Sequence, residues 1–196
     1  MNVYKIAHIV KDKLPFIWDA IEKVNEWLFV LRYGKNVKNL FVNSVPKGYD
    51  LVALRDVETT RIIKFFEHQP ADAYTFFKPH GFDEKSIKRL QKNKSYLAYL
   101  LIDKANGQIV GYCFNRCFFQ GKGFRGRMVD VNYRGKGLGT AMNKMLNEVG
   151  FGIGLKLFES VSKDNVASYR SALSASNVRV VQELPHNEIY LEILPE

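Results

Sequence analysis

The chain has 196 residues, 46% of them hydrophobic, which suits one domain with a substantial core rather than a disordered segment. No stretch approaches the ~18 consecutive apolar residues of a membrane span, and Ile6–Val10, which contains His8 and runs into Lys11-Asp12-Lys13, fails as a signal peptide. The formal charge of +9 would suit a polyanion, but the cations are scattered from Lys5 to Arg179 without a long run. That disfavours a nucleic-acid partner and leaves a phosphate-bearing small molecule.

Residues 1–48 read as an N-terminal extension that packs on a domain spanning 49–196. A short strand near Val3–Val10 precedes a helix in which Leu14, Ile17, Trp18, Ile21, Val24, Leu28 and Leu31 recur at three- and four-residue spacing. This stripe is expected to cover the domain's own sheet, the alternative being a homodimer contact. Pro46-Lys47-Gly48 ends the segment. Leu51–Arg55 reads as a strand and Arg61–Phe66 as a helix. The aromatic stretch Tyr74–Phe82 leads into a short helix from Asp83 to about Gln91. Strands at Tyr96–Asp103 and Gln108–Phe118 flank an Asn106-Gly107 turn. Gly121, Gly123 and Gly126 mark a turn before a strand at Arg127–Val131. A helix from Leu138 to Phe151 follows, then a strand at Leu155–Val161, a helix at Asn165–Ala175, and strands at Val178–Glu183 and Ile189–Leu194. The order predicts an α/β fold with a mixed, largely antiparallel central sheet flanked by helices, plus the N-terminal helical extension. Cys113 and Cys117 would share a strand face too far apart to bridge, and no histidines accompany them at zinc-ligand spacing. No metal site is implied, and a reduced, cytoplasmic protein is expected.

The chemistry concentrates in Met128–Thr140, where an apolar strand enters the glycine-rich turn Arg134-Gly135-Lys136-Gly137-Leu138-Gly139 and opens directly into a helix. Free N–H groups and the helix dipole make such a start an anion site, and glycines let phosphate approach the backbone. Diphosphate binding follows from this alone. A P-loop does not fit, because Lys136 precedes its glycine. A dinucleotide fingerprint counted from Gly135 places Thr140 at its third glycine, although Glu159 stands where a ribose-binding acid would.

The pattern [QR]-x-x-G-x-[GA] fits as Arg134, Gly137 and Gly139. On these residues, and on the element order from about Leu51 to Leu194, the chain resembles the GNAT superfamily of N-acetyltransferases. The resemblance implies an acyl-CoA N-acyltransferase-like fold and acetyl-CoA as co-substrate, without a metal. Val129 and Val131 match strand positions whose backbone faces pantetheine in that family. Gly135, Lys136, Gly137, Leu138, Gly139 and Thr140 match the diphosphate loop, and Asn165 an asparagine beside pantetheine. As a residue in its own right, Asn165 also reads as a helix cap. Val131 stands where proline is frequent, Ser176-Asn177 replaces Gly-Phe, and Ala172 replaces the tyrosine that protonates the leaving thiolate. Tyr169 is the substitute acid, with core packing as its other reading.

Amine acetylation also needs a base and an oxyanion donor. The base candidates are Asp130, His80, Glu67 and His68, with His80 foremost for its pKa range and its loop. The expected activity is transfer of an acetyl group from acetyl-CoA to a primary amine of a small molecule, an amino sugar or nucleotide-linked amino sugar first. A non-catalytic acyl-CoA-binding or regulatory module and a protein N-acetyltransferase are the alternatives.

Overall fold

The computed structural model describes residues 15–195. The expected strand at 3–10 and Leu14 lie outside the described residues. Helix α1 is described from Pro15 to Lys38. The expected helix is present, but its inner face is not the expected one. Phe29 and Tyr33 are buried, whereas Ile21, Val24 and Leu31 are more than half exposed. Asn25 sets the orientation: its amide donates to the Cys117 carbonyl at 3.0 Å and to Ser95 Oγ, and its carbonyl accepts from the Phe119 amide. The helix is apolar on two sides, and periodicity alone does not say which side carries the polar anchor.

The remaining elements are β1 (Tyr49–Ala53), α2 (Thr59–Glu67), α3 (Glu84–Lys92), β2 (Tyr96–Asp103), β3 (Ile109–Phe118), β4 (Lys122–Val129), α4 (Leu138–Gly152), β5 (Lys156–Ser162), α5 (Val166–Ala175), β6 (Asn177–Leu184) and β7 (Glu188–Leu194). They build one seven-stranded sheet in the order β1-β2-β3-β4-β5-β7-β6, antiparallel throughout except at β4/β5. The α/β class and the mixed, largely antiparallel sheet are those the element order predicts. Local chemistry explains the boundaries. Asp83 caps α3 by accepting from the Ser86 amide, and Gly107 makes the β2–β3 turn at φ +70°.

Strand β4 begins earlier and ends earlier than expected. Gly123 and Gly126 lie inside it, because a Cβ on Gly126 would stand 2.5 Å from the Phe114 ring and one on Gly123 2.9 Å from Leu157. They are there for close approach to neighbouring side chains rather than for a turn. Helices α1, α4 and α5 cover one face of the sheet, where Met142, Met145, Leu146 and Val149 of α4 are at most 1% exposed. Each such burial contributes about 1.5–3 kcal/mol. Helices α2 and α3 cover the other face with Ile62, Phe65, Phe66 and Ile87. Strands β4 and β5 pair at only three positions, ending at Phe124↔Phe158. Beyond that point β4 stays with β3 as far as Val129 while β5 stays with β7, so a wedge opens between them toward the glycine-rich loop.

Candidate active site

The loop begins at a buried clamp. Asp130 accepts from the Asn132 amide at 2.9 Å and from Gln69 Nε2 at 2.8 Å, and Gln69 Oε1 accepts from the Val131 amide at 3.1 Å. This starts a 3-10 turn at Val131–Tyr133. Two expectations are corrected here. Val131 is not on the strand, and its N–H is engaged by Gln69 instead of facing a ligand. Asp130, a base candidate, has both carboxylate oxygens occupied and is 5% exposed, so it fixes the direction in which the chain leaves β4.

Past the clamp, Gly135 and Gly137 adopt φ of +75° and +76°, the left-handed region that favours glycine. Gly137 is the N-cap of α4 and brings no capping side chain. Among the described residues, no amide from Gly135 to Thr140 donates to another group of the chain. These donors converge at the positive end of a fifteen-residue helix. Two cations flank them: Lys136 Nζ lies 4.4 Å from the Tyr133 ring centroid, and Arg134 lies 3.8 Å from Asp72. Val129 and Ser171 wall the first turn at Gly139, and Thr140 Oγ1 stands 3.5 Å from Ser171 Oγ. Leu138 is buried beneath the loop and anchors it.

On the α4/α5 side the wedge is lined with charge. Arg125 Nε donates to Glu159 at 2.7 Å, and Arg127 lies 3.6 Å from the same carboxylate while donating to the Ser168 carbonyl at 2.9 Å. Glu159 thus serves two buried guanidiniums. Burial holds Arg127 down to about 10, with Glu159 opposing the shift. Arg125 Nη2, Glu159 Oε1, Asn115 Oδ1 and Asn143 Oδ1 are buried without a hydrogen-bond partner among the described residues. Glu159 faces this cluster, in mid-strand, and is not placed as a ribose ligand, which removes the support for a dinucleotide site.

The opposite face of β4 is aromatic. His80 lies over β3, ringed by Phe66, Phe82, Tyr96, Tyr112 and Phe114 at centroid distances of 4.9 to 6.4 Å. Its Nδ1 faces the Gly81 carbonyl at 2.7 Å and its Nε2 the Tyr112 hydroxyl at 2.8 Å. A carbonyl only accepts, so Nδ1 carries the proton and Nε2 accepts from Tyr112, whose oxygen accepts from Tyr96 at 3.0 Å. Burial lowers the His80 pKa, partly offset by the Gly81 bond. The ring is neutral and its lone pair is occupied. Of the other base candidates, His68 meets Asn132 Nδ2 at 3.2 Å and Glu67 is exposed.

Asn165 caps α5 by accepting from the Ser168 amide at 3.2 Å, and Tyr169 packs on the apolar cluster that holds Val161 and Ala172. Sequence reasoning missed three aromatics. Phe124 and Tyr190, both half-buried, stack with the buried Phe158 in near-parallel rings, 14° apart for Phe158–Tyr190 and 18° for Phe124–Tyr190. This shelf stands where β4 and β5 part. It joins three strands, so only their register reveals it. A surface cleft of about 760 Å3 lies at the far end of α4, lined by Asn36, Asn39, Asn147 and Phe151, away from the loop.

A sequence model of the acetyltransferase (GNAT) family matches residues 62–172. Similar solved structures include the GNAT domain of S. lividans PAT, at 12% identity and TM-score 0.62, covering 74% of this chain and 88% of that one. A GNAT-family acetyltransferase from Bacillus anthracis aligns at 17% identity and TM-score 0.60, covering 79% and 98%. The Campylobacter jejuni N-acetyltransferase PseH aligns at 15% identity and TM-score 0.56, covering 74% and 97%. No curated protein matches the chain in sequence at a significant level. The structural likenesses establish the fold, and the sequence match runs from α2 into α5 across the loop and wedge just described: the chain belongs to the acetyltransferase (GNAT) family.

Proposed function

We propose that this acyltransferase moves the acetyl group of acetyl-CoA to a primary amine of a small molecule, an amino sugar or nucleotide-linked amino sugar in particular. The observation that carries the reading is the set of unused amides from Gly135 to Thr140 at the mouth of the β4/β5 wedge. The residues present fit the co-substrate that the family uses: a diphosphate matches the convergent donors, and the two left-handed glycines leave it room. Acetyl-CoA supplies the acyl group as a thioester. In this reading the loop amides hold the diphosphate, with Lys136 and Arg134 adding charge. The unpaired edge of β4 through Val129 offers backbone groups to pantetheine and an N–H to the developing oxyanion. Asn165, whose Oδ1 is taken by the cap, has its Nδ2 for the pantetheine arm.

The acceptor side is the aromatic face. The Phe124–Phe158–Tyr190 shelf suits a flat sugar face or a base. His80, neutral and one strand in from β4, packs against Tyr112 and Phe114 on the same face of the sheet. Its role is to hold the acceptor's surroundings through Tyr112, and proton transfer falls to water. Tyr169 is half-buried against the apolar cluster of Val161 and Ala172, and we assign the acid step to water as well. Residues 49–196 form the catalytic domain in this reading, with 1–48 as its extension.

The test is calorimetric titration of acetyl-CoA into the protein and into Gly137→Glu, with NADH as control, followed by CoA release with an amine panel. Micromolar acetyl-CoA binding lost in the variant, with turnover on amino sugars, supports the reading. Turnover only on a protein N-terminus would move the acceptor to the macromolecular class. Preferential NADH binding would overturn the cofactor assignment.

A further inference from the structure

Of the twelve large hydrophobic residues that are exposed among the described residues, six lie on α1: Phe16, Ile21, Val24, Trp27, Val30 and Leu31. Soluble monomers rarely expose a contiguous apolar patch beyond a few hundred Å2. The outer face of this helix has a definite spacing. Ile17, Ala20, Val24, Trp27, Leu31 and Gly34 follow one another at alternating intervals of three and four residues. That is a heptad seam, the pattern whose knobs need the holes of a second helix. It lies opposite the face that Asn25, Phe29 and Tyr33 bury against the sheet, and the described residues leave it exposed. Trp27 is 63% exposed, Leu31 65% and Val24 56%.

We propose that the seam is the interface of a homodimer in which α1 pairs antiparallel with α1 of a second copy. Three features of the sequence select this occupant. An antiparallel pair can place Val24 against Trp27 of the second copy, Ala20 against its Leu31, and Ile17 against its Gly34. Each layer then combines a larger with a smaller residue, as close packing requires. A parallel pair would set Trp27 on Trp27 and Gly34 on Gly34, crowding one layer and leaving a hole in another. The antiparallel pairing is also two-fold symmetric, so one surface satisfies both copies.

Charge agrees with the same arrangement. The seam carries no charge from Ile17 to Gly34; the cations beside it are Lys23 and Lys35, and Lys38 follows on the seam line at the end of the helix, where a parallel pair would set it against its own copy. In the antiparallel register, Lys35 of one copy lies about one heptad, ~10 Å along the axis, from Lys23 of the other. That is about a Debye length at physiological salt. In a parallel pair each lysine would face its own copy. Phe16, Val24, Trp27 and Leu31 lie on one side of the helix and are each more than half exposed; with aromatics burying up to ~150–250 Å2 each, they bring the contact toward the ~600 Å2 per partner at which specific interfaces begin.

Sedimentation equilibrium of the full chain at high micromolar concentration tests this. The expected mass is twice 22.6 kDa, falling to the single-chain value in Leu31→Lys and in Trp27→Glu with circular dichroism and acetyl-CoA affinity unchanged. Either variant serves if the other fails to fold. The double variant Ala20→Cys/Leu31→Cys is expected to form a disulfide-linked dimer under mild oxidation, whereas Ile17→Cys alone, ~25 Å along the axis from its own copy, is not. The native Cys113 and Cys117 are buried and do not compete. A single-chain mass for the unsubstituted protein would overturn the proposal and leave the stripe to residues 1–14 or to another protein. A dimer that both charge variants leave intact would overturn it too, as would self-linkage through Ile17→Cys.

Discussion

The two faces of β4 differ more than any other pair of surfaces in the molecule. Toward α4 and α5, Arg125 and Arg127 share Glu159 in a buried, net-positive cluster. Toward α2 and α3, Gly126 and Phe124 meet Phe114, Phe158 and Tyr190, with His80 held neutral nearby. One strand therefore separates a region that attracts anions from one that stacks on rings. An enzyme joining a phosphate-bearing thioester to a neutral amine needs both kinds of surface. The anionic cofactor gains from the positive side, while an aromatic, poorly hydrated side favours the uncharged form of an amine, the form able to attack.

The largest expected effect breaks the charged face. Glu159→Gln keeps the shape but leaves two buried guanidiniums without a counter-ion, and loss of about 3–5 kcal/mol is expected. Arg125→Met should cost clearly less, because Glu159 retains Arg127 at 3.6 Å. Urea unfolding of both variants measures the order, and equal losses would show that Glu159 does not serve both arginines. Next is the aromatic face at its tightest point. Gly126→Ala would push a methyl to 2.5 Å from the Phe114 ring, which is already stacked on Tyr96. A loss of about 1–3 kcal/mol from overpacking is expected in the same assay. An unchanged midpoint would mean the ring has room that the packing does not suggest.

How much of this contrast was legible beforehand follows from what each feature requires. The loop was readable because Arg134 to Gly139 are contiguous, and their glycines and helix start act locally. The order of strands and helices was readable for the same reason, through alternation and turn residues such as Asn106-Gly107. The charged cluster was not, because Arg125 and Glu159 belong to strands joined by a whole helix, and only the divergence after Phe124↔Phe158 sets them across the wedge. Gly126 read as a turn residue because its reason is a ring on another strand. The inner face of α1 is not legible in the spacing because one asparagine, Asn25, outweighs a stripe of aliphatic residues once its amide has three partners.

Smaller effects sharpen the aromatic side. Tyr190→Ala removes one plate of the shelf and should raise KM for an amino-sugar acceptor about two- to tenfold, the worth of ~0.5–1.5 kcal/mol of stacking. KM for acetyl-CoA should stay unchanged. If the two rise together, the shelf supports the fold and does not contact the acceptor.

The smallest expected effect is a pH dependence. Burial lowers the His80 pKa below its ordinary value near 6.5, so the unfolded chain takes up the proton before the folded one. Stability is therefore fully present above the ordinary value and is lost as pH falls toward the folded pKa, becoming flat below it. The hydrogen bond from Tyr112 to Nε2 favours the neutral ring, and Tyr112→Phe removes it. The folded pKa then rises toward the ordinary value and the acid-side loss shrinks, even though the variant is less stable overall by about 1–3 kcal/mol for the unpaired ring nitrogen. Melting temperatures of the two proteins across the mildly acidic range should converge as pH falls. Parallel curves would mean that the lone pair of His80 is not what Tyr112 satisfies, and the neutral aromatic enclosure would lose its hydrogen-bonded centre.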